Sequence, residues 1–176
     1  MDGKILLMGK PGVGKTTLIR RIFQRISVRA GGFYTREIRD GRLRTGFQLV
    51  TLDGREAILA STRTSAGHPR VGRYTVHVDA LEQLAVPALE DALAQSELIV
   101  IDELGKMEMC SVRFRQTVMT CLLSPKPLLA TIGVSADPSI RAIRCRPEVT
   151  TVEVTLANRD RLVDEVVIML MSRKNP

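Results

Sequence analysis

A glycine-rich turn between an apolar run and a helical pattern limits the folds open to this chain. Residues 9–16 read GKPGVGKT, which fits the P-loop pattern of glycine, four residues, glycine, lysine and then serine or threonine. Lys4–Met8 before it is predicted as a buried strand, and residues 17–26 place apolar side chains at helical spacing. This order of strand, loop and helix predicts binding of a nucleoside triphosphate.

Each part of the loop has a physical role in that prediction. Its glycines permit backbone conformations that aim successive N–H groups at phosphate oxygens, and the lysine adds a mobile cation. The threonine hydroxyl can ligate Mg²⁺, while the N-terminus of the following helix directs its positive end at the same anion. The predicted nucleotide-binding residues of this segment are Gly9, Lys10, Pro11, Gly12, Val13, Gly14, Lys15, Thr16 and Thr17.

A carboxylate pair at the end of a second apolar strand predicts a ligand for a metal ion and a general base. Asp102 and Glu103 follow residues 98–101, which are wholly apolar. In P-loop enzymes such an aspartate holds Mg²⁺ through its waters or through the loop threonine, here Thr16. The adjacent glutamate suits a general base that orients and deprotonates water. We therefore expect Thr16 and Asp102 at the metal, with Lys15 and Glu103 as catalytic residues.

Length and composition are typical of one soluble domain. The 176 residues are 44% hydrophobic, and we expect a single domain over residues 1–176. No apolar run approaches the roughly 18 residues of a membrane span, and no signal-peptide pattern is present, so a cytoplasmic protein without membrane contact is expected. The three cysteines, Cys110, Cys121 and Cys145, are widely spaced and are predicted to be buried, reduced thiols.

The charge of the chain is unevenly distributed. Residues 1–73 hold 15 Lys or Arg against 5 Asp or Glu, whereas residues 74–110 hold 1 against 8. A bound triphosphate with its metal accounts for part of this asymmetry, and an anionic partner accounts for more. A nucleic-acid partner stays open but is not favoured, because the chain has only 4 Phe, 2 Tyr and no Trp for stacking on bases.

The rest of the chain alternates strands with helices. Asp-Gly turns at 40–41 and 53–54 predict an antiparallel meander over residues 33–60, before a polar loop at 61–73 that is expected to be mobile when empty. Further strands are predicted at 74–78, 98–101, 128–132 and 149–156. Helices are predicted at 79–95, capped by Asp79 and interrupted or restarted at Pro87, at 111–123, at 137–144, and after Asn158, which is expected to cap the last helix. The alternation predicts a parallel sheet covered on both faces.

Several blocks of the sequence also resemble one enzyme family. IDELGKMEM at 101–109 looks like the DEIGKMEL signature of the THEP-type nucleoside-triphosphatases. GKPGVGKTTL, GGFYTREIRDGRLRTGF, VGRYTV, VPALEDAL and TLANRDRL resemble further blocks of that family in the same order, so the resemblance spans nearly the whole chain. The P-loop is generic, but the blocks around Phe33 and Asp102 are specific. Leu104 and Met109 depart from the pattern by volume-conserving exchanges.

The resemblance implies both a fold and a reaction. The fold is a three-layer α/β P-loop NTPase fold, RecA-like, with a mostly parallel sheet and an antiparallel meander. The reaction is hydrolysis of the terminal phosphate of ATP, GTP, CTP and UTP with little base preference and with Mg²⁺, by an enzyme expected to be a monomer. A second nucleotide-binding stretch is implied at Ile99, Val100, Ile101, Asp102, Glu103, Leu104, Gly105 and Lys106.

Recognition of the base has no strong signal in the sequence. The guanine motif Asn-Lys-x-Asp is absent, and the nearest segment, NRDR at 158–161, has its acid one place early. Arg159 is interpreted either as a stacking partner of the nucleobase or as an exposed arginine of a first helical turn. Lys106 likewise either reaches phosphate or lies exposed in a turn.

Two other functions remain open from the residues alone, a P-loop kinase with a small acceptor and a nucleotide-operated nucleic-acid-binding switch. Glu103 favours water as the acceptor, because it stands where a base for water belongs.

An arginine that meets the charge developing on the γ-phosphate is also expected. The polar loop is favoured to supply it. The candidates are Arg36 and Arg44 in the meander, Arg63, Arg70 and Arg73 in the loop, and Arg141, Arg144 and Arg146 near the last strand.

Overall fold

A computed structural model describes residues 3–171 of the chain. The strands are β1 (Lys4–Met8), β2 (Ala30–Asp40), β3 (Leu43–Thr51), β4 (Glu56–Ser61), β5 (Arg70–Val71), β6 (Tyr74–Val76), β7 (Leu98–Leu104), β8 (Leu128–Ile132) and β9 (Val149–Glu153). The helices are α1 (Lys15–Phe23), α2 (Val78–Ala80), α3 (Val86–Gln95), α4 (Val112–Leu123), α5 (Pro138–Arg144) and α6 (Leu162–Met171). A π-helical turn, Leu81–Ala85, joins α2 to α3, and a 3₁₀ turn, Glu108–Cys110, precedes α4.

All nine strands of the described chain belong to one sheet. Their order is β5-β6-β4-β3-β2-β7-β8-β1-β9, in which β2, β7, β8, β1 and β9 run parallel and the others are antiparallel. One strand, β8, separates β1 from β7, so the glycine loop after β1 and the carboxylates of β7 emerge at the same edge of the sheet. The expected mostly parallel, RecA-like P-loop fold with an antiparallel meander is confirmed.

Helices cover both faces of the sheet because the central strands are apolar on both sides. Ile5 and Leu7 pack with α1 and α6, whereas Leu6 points to the opposite face with α3, α4 and α5. This alternation is the period of two expected of a strand. The two apolar layers fix β1, β7 and β8, and with them the loops at their carboxyl ends. None of the helices within residues 3–171 is long and apolar enough to cross a membrane.

The β2–β3 hairpin extends beyond the parallel part of the sheet. The last parallel pair of β2 with β7 is Tyr34 opposite Asp102, and from Thr35 onward β2 pairs with β3 alone. A tight turn closes the hairpin at Gly41, whose φ of +56° suits the residue after Asp40 in an Asp-Gly turn. We call residues 35–48 the hairpin wall. Six residues of extended chain reach about 20 Å, so the wall rises beside the carboxyl edge.

Several predicted boundaries and caps are corrected by the structure. The first helix begins at Lys15, directly after Gly14 and as the P-loop pattern predicts, but it ends at Phe23, before the last apolar residue of the helical spacing at 17–26. Strand β9 ends at Glu153, not at residue 156, because Asn158 closes a turn behind it. The Asn158 side chain accepts from the Thr155 N–H and donates to the Glu153 carbonyl, so it does not cap α6, which begins at Leu162.

The region before α3 and the cysteines also differ from expectation. Asp79 lies within the first turn of α2, and His77 occupies the cap position but makes no capping hydrogen bond with its side chain. The expected change at Pro87 is confirmed, since the π-helical turn gives way to α3 there. Strand β6 ends at Val76, and part of the polar loop forms β5 against it. Of the cysteines, Cys121 is buried but Cys145 is exposed, because it ends α5 at the surface.

Candidate active site

The glycine loop between β1 and α1 has a conformation that side chains would prevent. Gly12 and Gly14 have φ of +78° and +104°, in the left-handed region that favours glycine. A Cβ at Gly9 would lie 2.7 Å from the Val154 carbonyl oxygen, so the loop could not approach the chain after β9 with any larger residue. The first N–H groups of α1 have no carbonyl partners within the helix and point toward the loop. The predicted phosphate-binding loop is therefore built by the backbone.

Lys15 lies in the centre of this loop, with only 6% of its surface exposed. Its Nζ donates to the Gly9 carbonyl at 2.9 Å and to the Lys10 carbonyl at 3.5 Å. It also lies 3.5 Å from Oε2 of Glu103, which comes from β7 on the other side of β8. One cation thus connects the loop after β1 with the carboxylates at the end of β7.

Asp102 is buried at the end of β7 with one oxygen satisfied and one not. The Thr131 hydroxyl of β8 donates to Oδ1, whereas Oδ2 has no hydrogen-bond partner among residues 3–171. Desolvation raises the pKa of Asp102, and the nearby Thr131 and Thr16 hydroxyls and Lys15 oppose the rise. A buried carboxylate oxygen without a hydrogen-bond donor normally has an explanation. A role as a ligand for a cation is one such explanation.

The donor set at Asp102 fits Mg²⁺. A hydroxyl from Thr16 and a carboxylate oxygen are hard ligands, which Mg²⁺ prefers, and it commonly takes only one or two protein ligands beside phosphate oxygens and water. No cluster of three or more His, Cys, Asp or Glu side chains suited to a metal occurs within residues 3–171. A site made for a metal that arrives with phosphates is consistent with both observations.

Glu103 stands beside Lys15 in a narrow space. A Cβ at Gly133 would come within 3.3 Å of its Oε1, and one at Gly105 within 3.5 Å, so both glycines leave room for the carboxylate. Burial raises the pKa of Glu103, and the charge of Asp102 raises it further, while Lys15 lowers it. A carboxylate with a raised pKa is a stronger base than one in water, as a group that accepts a proton from water requires.

These groups face a cavity of about 540 Å³. One side is formed by the P-loop from Pro11 to Thr17 and by the segment after β7. The hairpin wall, which lies beyond β7 and β8 from β1, contributes Thr35, Arg36, Glu37, Arg44 and Phe47. A volume between 300 and 1,000 Å³ is typical of sites that hold a whole small molecule.

The structure brings half of the predicted site residues to the lining of this cavity. Those that line it are Pro11, Gly12, Gly14, Lys15, Thr16, Thr17, Glu103, Gly105 and Lys106. Gly9 and Lys10 contribute carbonyl oxygens that hold Lys15, and Asp102 is buried beside Thr16. The implied stretch on β7 is different, because the side chains of Ile99, Val100, Ile101 and Leu104 are 0% exposed and lie in the sheet core. Lys106 is exposed at the cavity rim.

A second, smaller cleft of about 150 Å³ adjoins the P-loop and is lined partly by Arg159. Arg159 donates to the Val13 carbonyl at 3.4 Å and lies against Gly14. Arg21 and Asp160 line the same cleft and form an ion pair. Gly14 and Thr17 line both the cleft and the main cavity, so a ligand that crosses Gly14 can occupy both.

Two supporting residues were missed by reasoning from the sequence. Thr131 holds Asp102, and its signal was a lone hydroxyl within the otherwise apolar strand LLATI. Glu108 is 6% exposed, lines the cavity, and accepts from the Gly105 N–H at 3.0 Å. Burial raises the pKa of Glu108 to about 8. Its signal was its place in the quoted IDELGKMEM block.

The candidate arginines are distributed differently from the expectation. Arg36 and Arg44 of the hairpin wall line the main cavity, whereas Arg63, Arg70 and Arg73 of the favoured loop do not line it. Arg73 instead supports the wall by donating to the Arg44 carbonyl at 2.6 Å. The sequence named Arg36 and Arg44 as candidates but did not favour them, because the position of the wall at the cavity depends on pairing between β2 and β7, which are about 70 residues apart.

Comparison with known proteins identifies relatives of the whole chain. A family model described as NTPase matches residues 4–167. The nucleoside-triphosphatase THEP1 of Thermotoga maritima is 45% identical over 95% of both chains. The crystal structure of THEP1 from Aquifex aeolicus superposes with a TM-score of 0.86 at 38% identity, covering 96% of this chain and 99% of that one.

A second solved structure extends the similarity beyond thermophiles. The solution structure of a human cancer-related nucleoside triphosphatase has a TM-score of 0.82 and 38% identity, and covers 97% of this chain and 99% of that one. The expectation of an enzyme that hydrolyses nucleoside triphosphates is confirmed by these relatives. With its P-loop, its carboxylate pair at the end of β7 and these matches, this chain belongs to the THEP1 nucleoside-triphosphatase family.

Proposed function

We propose that this chain, as a single domain over residues 1–176, hydrolyses the terminal phosphate of ATP, GTP, CTP and UTP with little base preference. The observation that carries the proposal is the 3.5 Å approach of Lys15 to Glu103 beneath the P-loop, which joins a phosphate-binding cation to a carboxylate base. Thr16 and Asp102 hold Mg²⁺ in this proposal, supported by the buried Asp102 oxygen that has no donor among the described residues.

Different residues of the chain bind the phosphates, accept the proton of water and position the carboxylates. The P-loop N–H groups and Lys15 bind the β- and γ-phosphates, so Lys15 exchanges its carbonyl contacts for phosphate oxygens. Mg²⁺, when bound, neutralises charge that develops on the phosphates. Glu103 orients a water molecule toward the γ-phosphorus and accepts its proton, and Thr131 keeps the Asp102 carboxylate in place.

Broad base specificity follows from the cleft beside the P-loop. In the proposal the base lies on the Arg159 guanidinium, which stacks on any planar ring without reading its edge. The groups that could read a base edge, Arg21 and Asp160, already bind each other in an ion pair. Within residues 3–171, the side chains that line this cleft include no buried polar group that would reject one base by remaining unpaired.

Steady-state phosphate release with the four nucleoside triphosphates, with Mg²⁺ and with excess EDTA, tests the proposal. We expect kcat/KM values within about tenfold of one another, a spread of roughly 1.4 kcal/mol, and loss of turnover in EDTA. The Arg159→Ala variant should raise KM for all four nucleotides by a similar factor. A preference above about a hundredfold for one base, or full turnover without a divalent cation, would contradict the proposed specificity or the proposed metal.

A further inference from the structure

We propose that Arg44 of the hairpin wall is the cation that meets the charge developing on the γ-phosphate. The proposal rests on the hydrolytic function proposed above and adds a catalytic residue to it. A P-loop with its lysine and metal covers one side of the transferring group, and hydrolysis of this type is much faster when an arginine reaches the remaining side. The hairpin wall lines the same cavity, and its strands β2 and β3 lie beyond β7 and β8 from β1, the strand that leads into the P-loop.

The structure reduces eight candidate arginines to one. Among the described residues, six of the eight candidates do not line the cavity, which leaves Arg36 and Arg44. The Arg36 guanidinium donates to Gln48 and Glu56, both at 2.8 Å, and neither of these partners lines the cavity. These partners lie across the hairpin toward β4, so Arg36 borders the cavity without directing its charge there. Glu37, the partner of Arg44, does line the cavity. Arg44 is the remaining candidate that lines the cavity.

Arg44 is held in a defined position by a frame of aromatic and polar groups. Its guanidinium lies 5.0 Å from the centre of the Phe47 ring, and its Nε donates to the Tyr74 hydroxyl at 2.9 Å. Arg73 in turn packs on Tyr74 and donates to the Arg44 carbonyl. Such a frame limits the entropy lost when a guanidinium binds an anion, because the side chain is already restricted.

The ion pair of Arg44 with Glu37 can be replaced by a contact with phosphate. The Arg44 Nη1 donates to Oε1 of Glu37 at 2.7 Å, and both side chains are more than a third exposed. Exposed pairs of this kind contribute little to stability, so they are replaced readily. Glu37 also retains Arg39 as a partner when Arg44 leaves. Binding of a triphosphate can therefore draw the Arg44 fork from a carboxylate to phosphate oxygens, one anion for another.

The hairpin also supplies a matched control. Arg39 lies directly opposite Arg44 in the β2–β3 register and pairs with the same Glu37, but it does not line the cavity. Removing either arginine breaks one exposed ion pair of Glu37 in the same hairpin. Only the removal of Arg44 should affect the chemical step, so the pair separates catalysis from the stability of the wall.

The experiment compares the parent protein with Arg44→Ala, Arg44→Lys and Arg39→Ala. We expect Arg44→Ala to lower kcat for ATP at least about 10²-fold, with ATP affinity within about threefold of the parent. Arg44→Lys should restore little, because an ammonium lacks the planar fork. Arg39→Ala should hydrolyse ATP like the parent, and thermal midpoints should show that all three variants are folded.

A transition-state mimic gives a second readout that a purely structural role would not move. ADP with aluminium fluoride and Mg²⁺ imitates the planar phosphoryl group, and calorimetry measures its binding. Arg44→Ala should lose most of the extra affinity for this complex over ADP alone, whereas Arg39→Ala should keep it. If Arg44→Ala hydrolyses ATP and binds the mimic like an active parent, the assignment of Arg44 is wrong. If the parent itself releases no phosphate from any nucleoside triphosphate, the proposed function fails instead.

Discussion

The carboxyl edge of the parallel strands and the hairpin wall face one cavity, yet they hold their charged groups in opposite ways. At the edge, Lys15, Asp102 and Thr131 are 6%, 1% and 0% exposed, and the Glu103 side chain, which faces the cavity, is 36% exposed. In the wall, the ion-paired side chains of Glu37 and Arg44 are 36% and 39% exposed. Electrostatic interactions are strong and fixed where water is excluded, and weak and exchangeable where it is not.

This difference indicates a division of work between the two regions. The edge is anchored by two apolar layers, and its groups are preorganised for phosphate, metal and water. The wall extends past the last β2–β7 pair and is held only by β3 and its neighbours. We infer that changes at the edge abolish chemistry, whereas changes in the wall adjust it.

The largest effect is expected at the centre of the edge. Lys15→Ala removes the cation between the P-loop carbonyls and Glu103, so turnover should fall at least about 10³-fold, or roughly 4 kcal/mol in activation free energy. Triphosphate affinity should fall as well. Phosphate release and calorimetry measure both, and far-UV circular dichroism checks that the variant is folded. Near-normal hydrolysis by a folded variant would sink the assignment of the P-loop.

Glu103→Gln should separate chemistry from binding. The amide keeps the size and one acceptor oxygen but loses most of the basicity, so kcat should fall about 10²- to 10⁴-fold while nucleotide affinity survives. Asp102→Asn is the informative comparison, because it should weaken Mg²⁺-dependent binding as well as turnover. Parallel calorimetry and phosphate release on both variants decide the matter. Equal hydrolysis by Glu103→Gln and the parent would exclude Glu103 as the base.

The edge could be predicted from the sequence more completely than the wall. The edge was predictable because its motifs are local: GKPGVGKT lies between β1 and α1, and Asp102 and Glu103 end a strand that is apolar throughout. Its physical requirements, glycine at positive φ and a carboxylate beside a cation, are expressed by neighbouring residues. The residues of this site could therefore be named before their geometry was known.

The wall was predictable as a hairpin but not as part of the site. Asp-Gly turns located the meander, yet nothing local indicates that Arg44 faces the P-loop rather than solvent. That placement depends on the parallel register of β2 with β7. Asn158 failed as a cap for a related reason, because its side chain found the Thr155 N–H and the Glu153 carbonyl, and local patterns do not rank such competing partners.

Thr131→Val tests whether the edge depends on its buried support. Valine keeps the shape but removes the hydroxyl that donates to Asp102, so the free energy of unfolding should fall by about 1–3 kcal/mol. The Mg²⁺ concentration for half-maximal turnover should also rise. Thr117→Val in α4 is the matched control, since that hydroxyl donates to the Arg113 carbonyl, away from the cavity. An unchanged Mg²⁺ response in Thr131→Val would show that Asp102 needs no such support.

Glu108 lies where the edge meets the cavity. Its carboxyl should influence chiefly the pH dependence of the free energy of unfolding. Burial raises the pKa of Glu108 to about 8, and the charges of Glu103 and Asp102 contribute to the rise. Below its unfolded pKa of 4.5 the carboxyl is protonated in both states and costs nothing. Between 4.5 and about 8 the folded state retains a proton that the unfolded chain loses, so stability declines with pH by up to about 1.4 kcal/mol per unit.

Glu108→Gln should remove that decline, because the amide stays neutral and keeps an acceptor for the Gly105 N–H. Urea unfolding of the parent and the variant from pH 5 to pH 9 measures the difference, in which the other titrating groups largely cancel. The stability of Glu108→Gln relative to the parent should increase up to about pH 8 and level off above it. A constant difference across this range would mean that Glu108 is ionised in the folded protein. The edge would then hold a third ionised carboxylate beside Asp102 and Glu103. The electrostatic difference between the edge and the solvated wall would be smaller than the burial of the edge indicates.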